Sequence, residues 1–143
     1  MKTPIFYDKP KSIKYNVGDK AFMGIGWGDL NHFKQFLKTG NLDAWKGEKG
    51  TTDLCIAKVT VLGYNYPDFG DYKKPTESDV VYVIKTEKIL FNFYNNQLPI
   101  LSEGIISSAH YTWLDVWGEE VYKARYRFKK LGFEDLIEGF VFR

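Results

Sequence analysis

A chain of 143 residues, 44% hydrophobic and 27% charged, holds apolar material for one core and is too short for two, so a single α+β domain spanning 1–143 is expected and disorder is not. Its 20 basic and 18 acidic residues leave a net charge of +2, which excludes a whole-molecule field able to gather nucleic acid or an anionic membrane; any anion binding has to come from local clustering. The single cysteine, Cys55, excludes an intramolecular disulfide and a cysteine-based zinc site.

Residues 1–15 carry four lysines and two prolines without an apolar stretch, unlike a secretory signal. No apolar run approaches the roughly 18 to 20 residues of a membrane span. A cytoplasmic protein with no membrane partner is therefore expected. Ile13, Tyr15 and Val17 alternate with Ser12, Lys14 and Asn16, the pattern of a half-buried strand. Residues 20–27 read as a second strand running into the glycine-rich turn Gly24-Ile25-Gly26-Trp27-Gly28. Asp29 is a good helix N-cap, Leu30, Phe33 and Leu37 form an apolar stripe, and Gly40 ends the pattern, so a helix is expected over 29–39. Lys34 and Lys38 suit the C-terminal half of that helix, where the macrodipole favours cations.

Residues 54–62 read as a strand with Cys55, Ala57, Val59 and Val61 on its inner face. Residues 63–78 hold two prolines, two glycines and four aromatics (Tyr64, Tyr66, Phe69, Tyr72) and are expected to form a long loop. Residues 80–86 and 89–94 are β-rich, and Asn95-Asn96-Gln97 is turn chemistry. Thr112 to Asp115 matches a capping box, placing a short helix start there.

Residues 119–131 fit two periods. As a helix they offer Val121, Ala124, Phe128 and Leu131 on one stripe; as a strand, Tyr122, Ala124, Tyr126 and Phe128 alternate with Lys123, Arg125, Arg127 and Lys129. The aromatic content favours the strand. Gly132 then turns the chain into a last strand over 136–142. The sum is an antiparallel-rich sheet with one or two helices packed on one face.

Three clusters are candidates for binding. The turn Gly24, Gly26, Trp27 and Gly28, opening a helix, could offer backbone N–H groups to a phosphate, although Asp29 sets a carboxylate nearby and tight packing explains the glycines as well. Lys123, Arg125, Arg127 and Lys129, on one strand face about 6.8 Å apart, could track a polyanion while Tyr122 and Tyr126 stack bases. Tyr64, Tyr66 and Tyr72 of the loop offer adhesive rings with hydroxyl handles. Catalytic groups are sparse: His32 and His110 have no metal-ligand spacing, His110 with Asp115 forms at most an acid–base pair, and Cys55 reads as core.

Phe22-Met23-Gly24-Ile25, the helix ending at Gly40, and Gly50-Thr51-Thr52 together resemble the N-terminal half of ADP-ribosyltransferases. The resemblance implies NAD as substrate and a late catalytic glutamate at Glu119, Glu120 or Glu138. Met23 departs from it, standing where the family has an arginine that binds NAD. Two functions follow as expectations. One is a small non-catalytic binding protein without metal or cofactor, recognising a nucleic acid, a nucleotide or other phosphate-bearing small ligand, or a protein, through the Tyr-rich loop and the basic-aromatic strand. The alternative is an ADP-ribosyltransferase-like enzyme.

Overall fold

The computed structural model describes residues 5–26, 29–41, 54–67, 69–93, 102–130, 141 and 143. Among them, four strands make one antiparallel sheet in the order β1-β2-β3-β4: β1 is Lys20–Gly26, β2 Leu54–Asn65, β3 Val81–Phe93 and β4 Ile106–His110. Helix α1 (Leu30–Thr39) connects onward from β1. A broken helical run follows β4 as α2 (Tyr111–Asp115), α3 (Trp117–Lys123) and α4 (Arg125–Lys130). The class is α+β, as the sequence pattern implies.

The apolar run of β2 suits a central strand buried on both faces. Cys55, Ala57, Val59 and Val61 join Ala21, Met23 and Ile25 in one core. Leu54 and Ile56, on the opposite face, join Phe22, Phe33, Leu37, Val121 and Phe128 in another. That second core carries α1, α3 and α4, and its helices position the candidate site.

Helix α1 has both of its signals in place. Asp29 accepts a hydrogen bond from the Asn31 amide at 2.7 Å, and Gly40, at φ 70°, donates its N–H to the Phe36 carbonyl at 2.7 Å. Phe33 meets Trp117 edge-on, ring centroids 4.3 Å apart, which locks α1 against α3. The approach of α1 and α3 to β1 needs two glycines. A Cβ on Gly24 would stand 2.9 Å from Phe33 Cζ, and one on Gly118 would run into the Phe22 carbonyl oxygen.

Several expectations are corrected. Residues 119–130 are helical, α3 and α4, rather than a strand. The helical period prevails because it buries Val121 and Phe128, seven residues apart, on the face toward the sheet. The loop expected over 63–78 starts later: Gly63 pairs with Val83 and Tyr64 with Tyr82 inside the ladder. Gly63 is no breaker there. Phe6 bridges to Tyr64 through two backbone hydrogen bonds, and a Cβ on Gly63 would stand 2.6 Å from Ile5. The two strands expected over 80–86 and 89–94 are, among the described residues, one strand, β3 (Val81–Phe93), carried past Glu87 by a register shift against β2. Ile13 and Tyr15 are buried as their alternation predicts, but they lie outside any strand and Val17 is exposed. Helix α2 is capped by His110, whose Nδ1 accepts from the Thr112 amide, rather than by Thr112. The turn at 95–97 and nearly all of the last strand at 136–142 lie outside the described residues.

The segment at Tyr15 is held by buried hydroxyls instead of a ladder. Tyr82 Oη donates to Asp115 Oδ1 at 2.6 Å and accepts from the Tyr15 amide at 3.0 Å; Tyr64 Oη donates to the Tyr15 carbonyl at 2.7 Å. Burial pushes the Tyr15 phenol up to about 12.

Candidate functional site

The helical form of 119–130 rearranges the basic residues. On a strand, cations and tyrosines would stand on opposite faces. On a helix, Lys123, Tyr126, Arg127 and Lys130 follow an i, i+3, i+4, i+7 spacing and share one side. Across from them, Lys34 and Lys38 repeat at i, i+4 on α1. The two rows face each other over an open groove of about 450 Å³ lined by Lys34, Lys38, Lys123, Tyr126, Arg127 and Lys130. Leu37 and Ala124 also line it, and Glu120 is the one carboxylate among the described residues of its lining.

Glu120 sits toward one end of this array. Its Oε1 lies 3.6 Å from Lys34 Nζ and 4.0 Å from Lys123 Nζ. Lys123 also pairs with Glu119 at 3.1 Å, one helical turn back. The Lys123 hydrogen bond holds the Glu119 carboxyl below its usual range, and Glu119 in turn raises the Lys123 ammonium. Lys38, Arg127 and Lys130 have no carboxylate within ion-pair distance among the described residues. The groove therefore has an ion-paired end and a cationic end.

Tyr126 is the aromatic of the groove and is 55% exposed. The guanidinium of Arg125 lies 4.5 Å from its ring centroid and 3.9 Å from that of Tyr122, and donates from Nη1 to the Tyr122 carbonyl at 2.7 Å. Arg125 is thus spent on bracing the two tyrosines. Tyr122 is half-buried against Phe22. Lys129 is exposed and does not line the groove.

The loop tyrosines do not form one surface. Tyr64 is fully buried in the sheet core, which removes it from any contact with a partner. Tyr66 is half-buried, stacked on Phe6 with centroids 5.2 Å apart. Phe69 lies under Lys73, 4.6 Å from its Nζ. Tyr72, at 97% exposure, alone stands out from the loop.

In the glycine turn, Gly24 and Gly26 belong to β1, and the space beside Gly24 is filled by Phe33 and Trp117. Trp27 and Gly28 lie outside the described residues. The Asp29 carboxylate occupies the start of α1, where a phosphate would have to sit. The residues that resemble an NAD site are not assembled either. Met23 is buried in the core, Glu119 and Glu120 are tied to lysines, and residues 50–52 and Glu138 lie outside the described residues.

The remaining reactive groups stand apart. Cys55 is buried, and desolvation pushes its thiol up to about 12, so it is not a thiolate nucleophile. His110 stacks on Tyr111 and caps α2, while Asp115 points to Tyr82. No group of three His, Cys, Asp or Glu could hold a metal ion among the described residues, and no helix among them is long and apolar enough to cross a membrane.

Lys123, Tyr126 and Arg127 stand out in the sequence, as does the basic run they share with Lys130, whereas Lys34 and Lys38 do not show there as their partners. The i, i+4 spacing of Lys34 and Lys38 was the available signal, since like charges at that spacing are mildly unfavourable on an isolated helix. No family model matches this chain, and neither a curated protein nor a solved structure matches it.

Proposed function

We propose that this is a small non-catalytic binding protein that holds a phosphate-bearing partner in the groove between α1 and the α3–α4 run. The observation that carries this reading is the convergence of five cationic side chains, from helices about 90 positions apart in sequence, on one groove with a single carboxylate among its described lining residues. Helix ends explain why Lys38, Lys123 and Lys130 are basic, because cations offset the carbonyl end of a helix. They do not explain why the cations of two helices face each other, an arrangement that repels itself until an anion arrives. The scattered histidines, carboxylates and cysteine support binding rather than chemistry.

The test is charge reversal read by tripolyphosphate binding in titration calorimetry. The double variant Lys38→Glu, Arg127→Glu should lose about tenfold or more in affinity, and its residual binding should depend less on salt. Lys129→Glu, on the same helix but outside the groove, should bind as the parent does. Equal losses in both variants would assign the effect to general charge and remove the groove from the account.

A further inference from the structure

We infer that the ligand of this groove is a nucleotide, its phosphate held at the cationic end by Lys38, Arg127 and Lys130 and its base laid against Tyr126. This rests on the anion-binding reading above and adds the chemistry of the second half of the ligand.

Three observations carry it. The volume, about 450 Å³, falls in the range of roughly 300 to 1,000 Å³ typical of small-molecule sites. Tyr126 stands among the cations on the same helical side, between Lys123 and Lys130, rather than in the core its ring would otherwise join. More than half of it is open, while Arg125 lies over the ring and braces it, so ordering it on binding costs little. A phosphate alone uses the lysines and the arginine and leaves this ring without a role. A phosphate with a flat base uses all of them.

The groove is poorly suited to the competing occupants. An acidic protein segment needs an apolar anchor pocket, and Leu37, which lines the groove, is only 4% exposed. A long nucleic acid strand needs a continuing cationic track, whereas Glu119 and Glu120 occupy the Lys34–Lys123 end.

Titration calorimetry on the full chain, with AMP, UMP, ribose 5-phosphate, an eight-residue oligodeoxyadenylate and a polyglutamate peptide as probes, decides this. AMP should bind about tenfold or more tightly than ribose 5-phosphate, the lower part of the range that stacking one base supplies. Tyr126→Leu should bring AMP down to the affinity of ribose 5-phosphate and leave the latter unchanged. Tyr126→Trp should restore AMP binding, and circular dichroism should show both variants folded. An oligodeoxyadenylate that binds more tightly than AMP, with the same loss in Tyr126→Leu, supports base stacking and assigns its source to a strand. Equal affinities for AMP and ribose 5-phosphate overturn the inference and leave the anion-binding reading standing. Binding of polyglutamate alone overturns it in favour of a protein partner, and binding of no phosphate ligand overturns both.

Discussion

Lys34 on α1 and Glu120 on α3 face each other across the groove, Nζ to Oε1 3.6 Å, and the same carboxylate reaches Lys123 at 4.0 Å. This pair ties the two walls together and withholds two of the five cations from a ligand. A partly exposed surface pair of this kind is worth about 0.2 to 1 kcal/mol. Glu120→Gln is therefore expected to raise tripolyphosphate affinity about two- to fivefold, with little change in the melting temperature. Calorimetric titration of parent and variant at one salt concentration checks it. A fall in affinity would mean that Glu120 positions the lysines rather than competing with the ligand.

The second prediction concerns Tyr82. Its hydroxyl donates to Asp115 and accepts from the Tyr15 and Lys14 amides, so Tyr82→Phe strips a partner from three buried or half-buried groups. The expected loss is about 1 to 3 kcal/mol in urea unfolding. A neutral result would show that the Tyr15 segment does not depend on this contact.

Asp115 gives a pH-dependent expectation. Burial raises its carboxyl above the ordinary 3.8, against the opposing pull of the Tyr82 hydroxyl and Lys14. The folded state thus holds this proton more tightly than the unfolded state does. The contribution of Asp115 to stability falls as pH rises from the ordinary carboxylate value through the raised one, and its charge is a burden at neutral pH. Asn keeps an acceptor for Tyr82 without that charge. Asp115→Asn should gain on the parent in unfolding free energy between pH 4 and pH 7; a constant difference between the two proteins would contradict the shift.

The aromatic residues at the end of β2 and beyond it are expected to split. Tyr64→Ala empties a fully buried site and should cost about 3 to 5 kcal/mol. Tyr72→Ala, at an exposed position, should cost under about 0.5 kcal/mol. Comparable losses at both positions, by chemical denaturation, would return the segment to a single structural loop.

These residues also show how far the sequence could be read. Helix α1 was legible because Asp29, the Phe33–Leu37 stripe and Gly40 all act within one segment. Residues 119–130 were not, because Tyr122, Ala124, Tyr126 and Phe128 satisfy a period of two by coincidence. What decides for the helix is distant: Val121 and Phe128 meet Phe22 and Leu54, and Gly118 lets α3 against β1. Gly63 looked like a breaker because its purpose, admitting Ile5 and Phe6, lies nearly sixty residues back. The candidate groove had the same difficulty. Lys123, Tyr126 and Arg127 stood out locally, but Lys34 and Lys38 become part of a site only when Phe33 packs on Trp117 and brings α1 alongside α3.

A further ion pair joins the described end of the chain to the β1 side of the sheet. Arg143 donates from Nε and Nη2 to the two carboxylate oxygens of Asp19 at 3.0 and 2.8 Å, beside a hydrogen bond from the Val141 amide to the Lys20 carbonyl. Partial burial pushes the Asp19 carboxyl up, but Arg143 and the Asn16 amide overcome it and hold it below its usual range. A depressed carboxylate contributes stability above its unfolded pKa and loses it as pH falls through the folded value. Asp19→Asn should therefore lower the melting temperature at pH 7 and lose that deficit in strong acid. A deficit that persists unchanged into acid would show that the charge of Asp19 is not what holds the segment.

Amide chemical-shift mapping during a tripolyphosphate titration tests the groove as the binding face most directly. Perturbations are expected to gather on residues 34–40 and 120–130, with Lys38, Arg127 and Lys130 among the largest, and to fade as salt is raised. Perturbations centred instead on Tyr66 to Tyr72 or on the start of α1, with the α1 and α3–α4 walls silent, would contradict that placement.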